Sequence, residues 1–275
     1  MTSNEKKIAS FEVETEAEIA EEFLKNGYLI SPVEDLKSLQ RIRDMLVAIV
    51  VDKLKLDHPT DSGDFLNLIH QRVDPSQLNK LRLDTFNQIN REPWFRPAYY
   101  SLVRNKLSAI VGNELAMQLR VNLSIQMPDD KSSLLPLHAD VWNGDSPYEV
   151  VVWVPLVDVY NTKSMYILPA SKNKIWEREL SNYSGARASQ LFDAVKGDLE
   201  FLSMRFGDVM IFSQNQMHGN NINEEPETRW SMNCRFKSLF SPYADKKLGE
   251  FFEPITIKPA TRLGAGYKFP MSDNV

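Results

Sequence analysis

A single cysteine, Cys234, excludes an intramolecular disulfide and any zinc site built from several thiolates. Histidine is almost as scarce: the chain has four, at positions 58, 70, 138 and 218, and any imidazole site must draw on these. Lysine and arginine number 32 against 37 acidic residues, a net charge of −5, and they form no stripe that could track a phosphate backbone. Nucleic acid is therefore not an expected partner. No apolar run approaches the roughly 18 residues of a membrane span, and no basic-then-apolar leader opens the chain. The expected location is the cytoplasm, without a membrane partner. Internal repeats and low-complexity tracts are absent as well, which sets aside solenoids and propellers.

The run Leu135-Pro136-Leu137-His138-Ala139-Asp140-Val141 stands out from this background. Side chains two apart on a strand share a face, so an extended 135–141 would aim His138 and Asp140 at one point. His218, in a second strand-like run that ends in Gly219-Asn220-Asn221, is the natural third ligand. Two imidazoles and a carboxylate with an open coordination face are the set expected of a non-haem Fe(II) oxygenase. A bare His-x-Asp triplet also occurs as a surface hydrogen-bonded pair, so the weight falls on the residues downstream of His218. His58 and His70 lie outside both runs and read as structural or exposed.

Residues 229–236 alternate, with Arg229, Ser231, Asn233 and Arg235 on one face and Trp230, Met232, Cys234 and Phe236 on the other. A polar face backed by Trp and Phe suits a strand that lines a pocket. A guanidinium grips a carboxylate through two parallel hydrogen bonds; Arg229 with Ser231 would seat the far carboxylate of a dicarboxylic acid. Cys234 reads as an inert, packed thiol.

Together, His138-x-Asp140, the distal His218 and Arg229 eleven positions later resemble the 2-oxoglutarate-dependent Fe(II) oxygenases, and within them the phytanoyl-CoA dioxygenase-like group. Residues 23–30 are similar to that group's opening helix and strand, 152–158 with 165–172 to its central hairpin, and 206–212 to the turn and strand before its distal histidine. Two departures touch loop shape rather than the metal: Ala170-Ser171-Lys172 stands where the family shows Gly-Ser-His, and Ser164 replaces a glycine. The resemblance implies a mainly β fold with flanking helices, a double-stranded β-helix or jelly roll of the cupin kind. It assigns Fe(II) to His138, Asp140 and His218, and the co-substrate 2-oxoglutarate to Arg229, with O2 as oxidant. It further implies that one of Asn122, Ser124 or Gln126, on the strand expected at 119–126, touches 2-oxoglutarate; spacing does not choose among them. Trp153 either walls this pocket or fills core. Retention of Asp140 argues against a halogenase and favours hydroxylation.

The loop 141–149 comes directly after the metal triplet, so Trp142, Asn143, Asp145 and Tyr148 could hang over the open face and meet a hydroxyl-rich substrate, or simply anchor the loop. The amides Gln214, Asn215, Gln216, Asn220, Asn221 and Asn223 suggest a polar rim, although turn chemistry alone would explain the asparagines. Similarity to oxygenases of bacterial surface-carbohydrate pathways points to a sugar or nucleotide-sugar. An amino acid or other small metabolite is the alternative substrate. From other classes come a metal-binding jelly roll without oxygenase activity and a two-histidine-carboxylate hydrolase.

One domain over 1–275 is expected, with a mostly helical cover at 1–113, a jelly-roll core at 114–260 and a tail at 261–275. Residues 1–10 read as loose. A helix at 15–25 would start at a Thr15 cap and stop at Asn26-Gly27, followed by a strand at 28–30 and a helix at 34–55. A loop is expected at 57–65, and helices over 65–112 punctuated by Pro75, Pro93 and Pro97. A buried strand is expected at 150–156 and an insertion at 173–197 that could act as a lid. A homodimer is plausible, without a heptad or patch to mark it.

Overall fold

The computed structural model describes residues 13–183 and 188–268; the segment expected to be loose, 1–10, and the end of the expected tail lie outside them. Helices fill the first third. α1 (Glu14–Asn26) begins after Val13, which makes no side-chain cap, and Thr15 lies inside its first turn rather than capping it. Its end follows the Asn26-Gly27 signal: Gly27 adopts φ 76°, open to a residue without Cβ, and its N–H donates to the Phe23 carbonyl at 2.8 Å. β1 (Tyr28–Pro32) comes next, then α2 (Leu36–Leu54), capped by Asp35, which accepts from the Ser38 N–H at 3.0 Å. The expected loop at 57–65 instead contains the start of α3 (Ser62–Asn67), because Asp61 accepts from the Asp64 N–H and nucleates a turn. α4 (Pro75–Ile89), α5 (Phe95–Ser101) and α6 (Arg104–Ile110) follow; Pro75 sits in the first turn of α4, where a missing N–H has no helical partner to lose.

The strand expected at 119–126 begins only at Asn122, as β3 (Asn122–Gln126); a bend at 119–120 parts it from a strand the sequence did not suggest, β2 (Leu115–Gln118). After them come β4 (Glu149–Pro155), β5 (Tyr166–Ile167), α7 (Ala170–Glu179), α8 (Ala188–Val195) and β6 (Glu200–Phe201). The chain continues through β7 (Asp208–Ser213), β8 (His218–Gly219), β9 (Arg229–Ser238), β10 (Phe252–Thr256) and α9 (Pro259–Gly266), so the expected tail opens with a helical turn.

Seven strands form one sheet, in the order β1-β7-β4-β9-β2-β10 with β3 also on β9; β6-β5-β8 form a second. β9 is the spine of the larger sheet, pairing with β4 along one edge and with β3 and then β2 along the other. β4 is buried at every residue, as its apolar run predicts. Its Val150, Val152 and Val154 join Trp230, Met232, Cys234 and Phe236 of β9 against the α2 residues Leu39, Ile42, Leu46 and Ile49. Val151 and Trp153, on the reverse face, meet Met165 and Ile167 of the smaller sheet together with Met210 and Phe212.

The 152–158 and 165–172 runs do not form a hairpin. β4 is hydrogen-bonded on both edges, to β7 and β9, which leaves no free edge for β5; β5 pairs with β6 and β8 in the other sheet. The architecture is thus two unequal sheets with flanking helices, mixed α/β rather than mainly β, and no ladder among the described residues closes the sheets into a barrel. The insertion expected at 173–197 packs Leu191 and Val195 with Tyr166, Leu168, Leu137 and Met217. No helix among the described residues is long and apolar enough to cross a membrane.

Candidate metal centre and its anion pocket

His138 and His218 arrive as a backbone pair, an antiparallel bridge that adds His138 to the free edge of β8. Their rings lie 4.4 Å apart, centroid to centroid. The extended run expected at 135–141 is not continuous: after Ala139 the chain turns into a 3₁₀ turn, Asp140–Asn143, that ends at Gly144 with φ 82°. Asp140 therefore reaches its neighbour from a turn, not from the same face of a strand. Its Oδ1 still stands 3.5 Å from His138 Nε2, and one ligand atom from each of His138, Asp140 and His218 falls within 4.8 Å of the others. These are the three residues expected from the sequence.

Both rings are oriented for ligation. His138 Nδ1 lies 2.8 Å from the Pro136 carbonyl and His218 Nδ1 2.9 Å from that of Gln216. A carbonyl only accepts, so each Nδ1 carries the proton and each Nε2 presents its lone pair. Such carbonyl-held tautomers are what ligating histidines use. Burial, then the neighbouring His138, push the His218 pKa down to about 4, so its ring is neutral at physiological pH. Burial opposes ionisation of Asp140, but its neighbours His138, His218 and Arg235 outweigh it and hold the carboxyl well below the usual range.

Asp140 and His218 open into a cavity of about 110 Å³. All four residues of the predicted polar face of β9, Arg229, Ser231, Asn233 and Arg235, line it, as does Ser124 of β3. Arg229 is buried, and burial lowers its pKa to about 10, which leaves it charged at neutral pH. Its Nη2 donates to Ser124 Oγ at 3.4 Å, while its Nε and the Ser231 Oγ are buried without a hydrogen-bond partner among the described residues. No carboxylate forms an ion pair with Arg229 among the described residues. A buried guanidinium with no carboxylate on it, beside an orphaned hydroxyl, has the chemistry to take up an anion.

Among the three candidates of β3, Ser124 faces the cavity. Asn122 donates to Asn233 Oδ1 at 2.9 Å, and Gln126 is fully buried, donating to the Asn221 carbonyl at 2.6 Å. Trp153, expected either to wall the pocket or to fill core, lines the cavity and also packs between the sheets. Trp142, Asn143 and Tyr148 are exposed, and none of them lines this cavity. Asp145 does not hang over the open face: it is buried in ion pairs with Arg235 and Lys246. Of the amides around His218, Asn220 reaches the cavity wall and ties β3 to the segment before His138, donating to Gln126 Oε1 at 3.3 Å and to the Ser133 carbonyl at 3.1 Å. Gln216 and Asn223 are spent on backbone carbonyls instead. His70 bonds Thr228 Oγ1 at 3.0 Å, and His58 is exposed; both stand apart from the triad.

Sequence reasoning missed Arg235 as a partner of the triad, although alternation from Arg229 placed it on the correct face. Its Nη2 donates to Asp140 Oδ1 at 3.1 Å. Cys234, fully buried on the opposite face, has its thiol pushed up to about 12 by burial, as an inert packed cysteine should.

No family model and no curated protein matches the chain. Solved structures do share its fold. A nickel complex of the non-heme monooxygenase ThoJ aligns over 88% of this chain and 85% of that one, at 16% identity and a TM-score of 0.55. EctD from S. alaskensis, in its apoform, aligns over 88% and 81% at 14% identity, with a TM-score of 0.54. AviO1 from Streptomyces viridochromogenes Tue57 aligns over 86% of this chain and 100% of its own, at 14% identity and 0.52. At such identities the likeness is one of fold.

Proposed function

We propose that this chain is a non-haem Fe(II)- and 2-oxoglutarate-dependent dioxygenase of the phytanoyl-CoA dioxygenase-like group, hydroxylating a small polar metabolite, a sugar or nucleotide-sugar. The observation that carries the reading is Arg229: a buried cation with an orphaned Nε, beside an orphaned Ser231 hydroxyl, in the cavity that His218 and Asp140 of the triad also line. A hydrolase or a structural metal site gives no reason for that guanidinium. The donor set fits Fe(II), since two neutral Nε2 atoms and one carboxylate leave coordination positions open. The charges fit too: a divalent ion beside Asp140 leaves one net positive charge, Arg229 adds a second, and 2-oxoglutarate brings two negative ones. That the non-heme monooxygenase ThoJ, seen with nickel, has this fold supports a metal-dependent oxidation.

His138, Asp140 and His218 would hold the metal, and Arg229, Ser231 and Ser124 the far carboxylate of 2-oxoglutarate. When bound, the iron and its co-substrate supply oxidation of a substrate C–H bond by O2, coupled to conversion of 2-oxoglutarate into succinate and CO2. The protein's own part is positioning and exclusion of water. Val151, Trp153, Met165 and Phe212 give the cavity an apolar wall, which strengthens the pull of Arg229 on a bound carboxylate. Trp142 and Tyr148, both exposed within ten residues of Asp140, are offered as rings for stacking on a sugar.

Anaerobic addition of Fe(II) and 2-oxoglutarate tests the assignment. The visible metal-to-ligand charge-transfer band should appear in the wild type and not in Arg229→Ala at the same 2-oxoglutarate concentration. Its absence from the wild type would refute the oxygenase reading. Succinate release across a panel of sugar nucleotides and amino acids then tests the substrate: stimulation by amino acids alone would discard the sugar.

A further inference from the structure

Asp140 has two neighbours with a claim on its carboxylate, and only one of them belongs to the triad. Oδ1 lies 3.5 Å from His138 Nε2 and accepts from Arg235 Nη2 at 3.1 Å. Arg235 is itself held. Its Nε stands 3.1 Å from Asp145 Oδ1, a charge contact without hydrogen-bond alignment, and Asp145 Oδ2 takes the Lys246 ammonium at 2.5 Å. Asp145 has no exposed side-chain surface. Lys246 belongs to the loop after β9, whose Asp245 N–H bonds the Gly144 carbonyl at 3.1 Å and so pins that loop against the turn that carries Asp140. A continuous charged chain thus runs from the 240–250 loop through Lys246, Asp145 and Arg235 to a metal ligand.

We infer that Arg235 is a positioning residue for Asp140, locked by Asp145, and that this chain keeps the carboxylate aimed before any metal arrives. The inference rests on the proposed metal site and adds a residue to it. A buried carboxylate without a partner would turn toward whatever donor or solvent it could reach; the hydrogen bond from Arg235 fixes its direction. An ionised carboxylate accepts at about four lone-pair sites, so a hydrogen bond from Arg235 leaves room for a metal. Charge and shape both count: separate nitrogens of one guanidinium face Asp140 and Asp145, an arrangement that a single ammonium does not reproduce. Arg235 is also committed: with two carboxylates on it, it does not compete with Arg229 for a dicarboxylate, which explains how two guanidiniums share one strand face without sharing a task.

Co(II) titration of the metal-free protein under anaerobic conditions, followed by visible absorption and calorimetry, tests this without turnover. Arg235→Gln should weaken Co(II) binding by about ten- to a hundredfold, the usual loss for a group that orients a ligand, and should shift the ligand-field bands as Asp140 changes its mode of binding. Arg235→Lys should recover part of the affinity but not the spectrum. Asp145→Asn should weaken binding in the same direction, and the Arg235→Gln/Asp145→Asn pair should be no weaker than Arg235→Gln alone, because both act along one chain. A folded Arg235→Gln with wild-type Co(II) affinity and spectrum, altered only in melting temperature, overturns the inference. Should that variant not fold, unchanged affinity in Asp145→Asn overturns it equally. A wild type that binds no Co(II) fails the metal site itself, a result distinct from either.

Discussion

The His218 N–H donates to the His138 carbonyl at 2.8 Å, and the His138 N–H returns the bond to the His218 carbonyl at 3.0 Å. Backbone bonds, not side-chain packing, therefore set the spacing of the two imidazoles. His138→Ala and Asp140→Ala should keep the fold and lose the metal: binding should fall at least a hundredfold and turnover should vanish. The far-ultraviolet circular dichroism should not change. Metal content after reconstitution and dialysis is the measurement.

Arg229 carries a charge that nothing among the described residues answers. Burying a lone cation is costly, and even a paired buried charge is often replaced by well-packed apolar side chains at no loss or with a gain of about 1–4 kcal/mol. Arg229→Met should therefore melt at a higher temperature than the wild type when both are ligand-free. Adding 2-oxoglutarate with a redox-silent divalent metal should reverse the order, since a ligand at 100 times its Kd stabilises by about 2.7 kcal/mol. Paired melting curves decide it; a lower ligand-free melting temperature for Arg229→Met would contradict the account.

Gly219, next to His218, is a close-approach position. A Cβ there would lie 2.5 Å from Tyr166 Oη and 2.7 Å from the Leu135 carbonyl oxygen. Leu135 O is backbone that already accepts from the Asn220 N–H at 3.0 Å, so it cannot give way without moving the segment that leads to His138. Gly219→Ala should cost about 1–3 kcal/mol, the usual range for overpacking, and should lower metal affinity as well. Chemical denaturation and a metal titration on the same sample would separate the two effects.

Glu149 is buried at the start of β4, accepting from Gln214 Nε2 at 3.2 Å. Burial first, then the charge of Asp145, raise its pKa from 4.5 to about 7. The folded protein holds this proton more tightly than the unfolded chain does. Its contribution is therefore fully present below pH 4.5 and is lost as pH rises through 7. Glu149→Gln should flatten the decline in stability between about pH 5 and 8 and should be the more stable protein at about pH 8, by about 1–3 kcal/mol. Melting temperatures across that window check it, and an unchanged slope would show that another group titrates.

Cys234 should be silent to thiol reagents in the native protein. With its thiol pushed up to about 12 and its surface fully covered, it has almost no thiolate and no access. One equivalent should react with an aromatic disulfide reagent only after denaturant is added, and its rate of appearance should track unfolding.

Local patterns proved as good as the physics behind them. The parity of β9 was legible because side chains of any strand alternate whatever lies beside it, and Arg229, Ser231, Asn233 and Arg235 do share one cavity. The Gly27 stop was legible because only the left-handed region ends the helix there. His138 and Asp140 were found by an argument about strand faces that the 3₁₀ turn at Asp140–Asn143 overturns; the pair converges through a different local geometry. The supposed hairpin of 152–158 with 165–172 failed because strand partnership is not a local property: β7 and β9 had taken both edges of β4. Asp145 and Arg235 could not be matched in the sequence, since they stand ninety residues apart and meet only once the segment around Asp145 lies against β9.

By itself, the sequence determined which side chains could do chemistry here: four histidines, two of them in strand-like runs, one His-x-Asp triplet, and an arginine on the polar face of an alternating strand. Periodicity and residue chemistry are carried by neighbours along the chain, so they survive without a fold. Only the tertiary structure decided how those groups meet. It joined His138 to His218 across a backbone bridge, chose Ser124 over Asn122 and Gln126 to face the cavity, and, among the described residues, left Arg229 without a carboxylate while giving Arg235 two. Those outcomes depend on which strand edges remain unpaired and which charges stay buried together, quantities that exist once the sheets have formed.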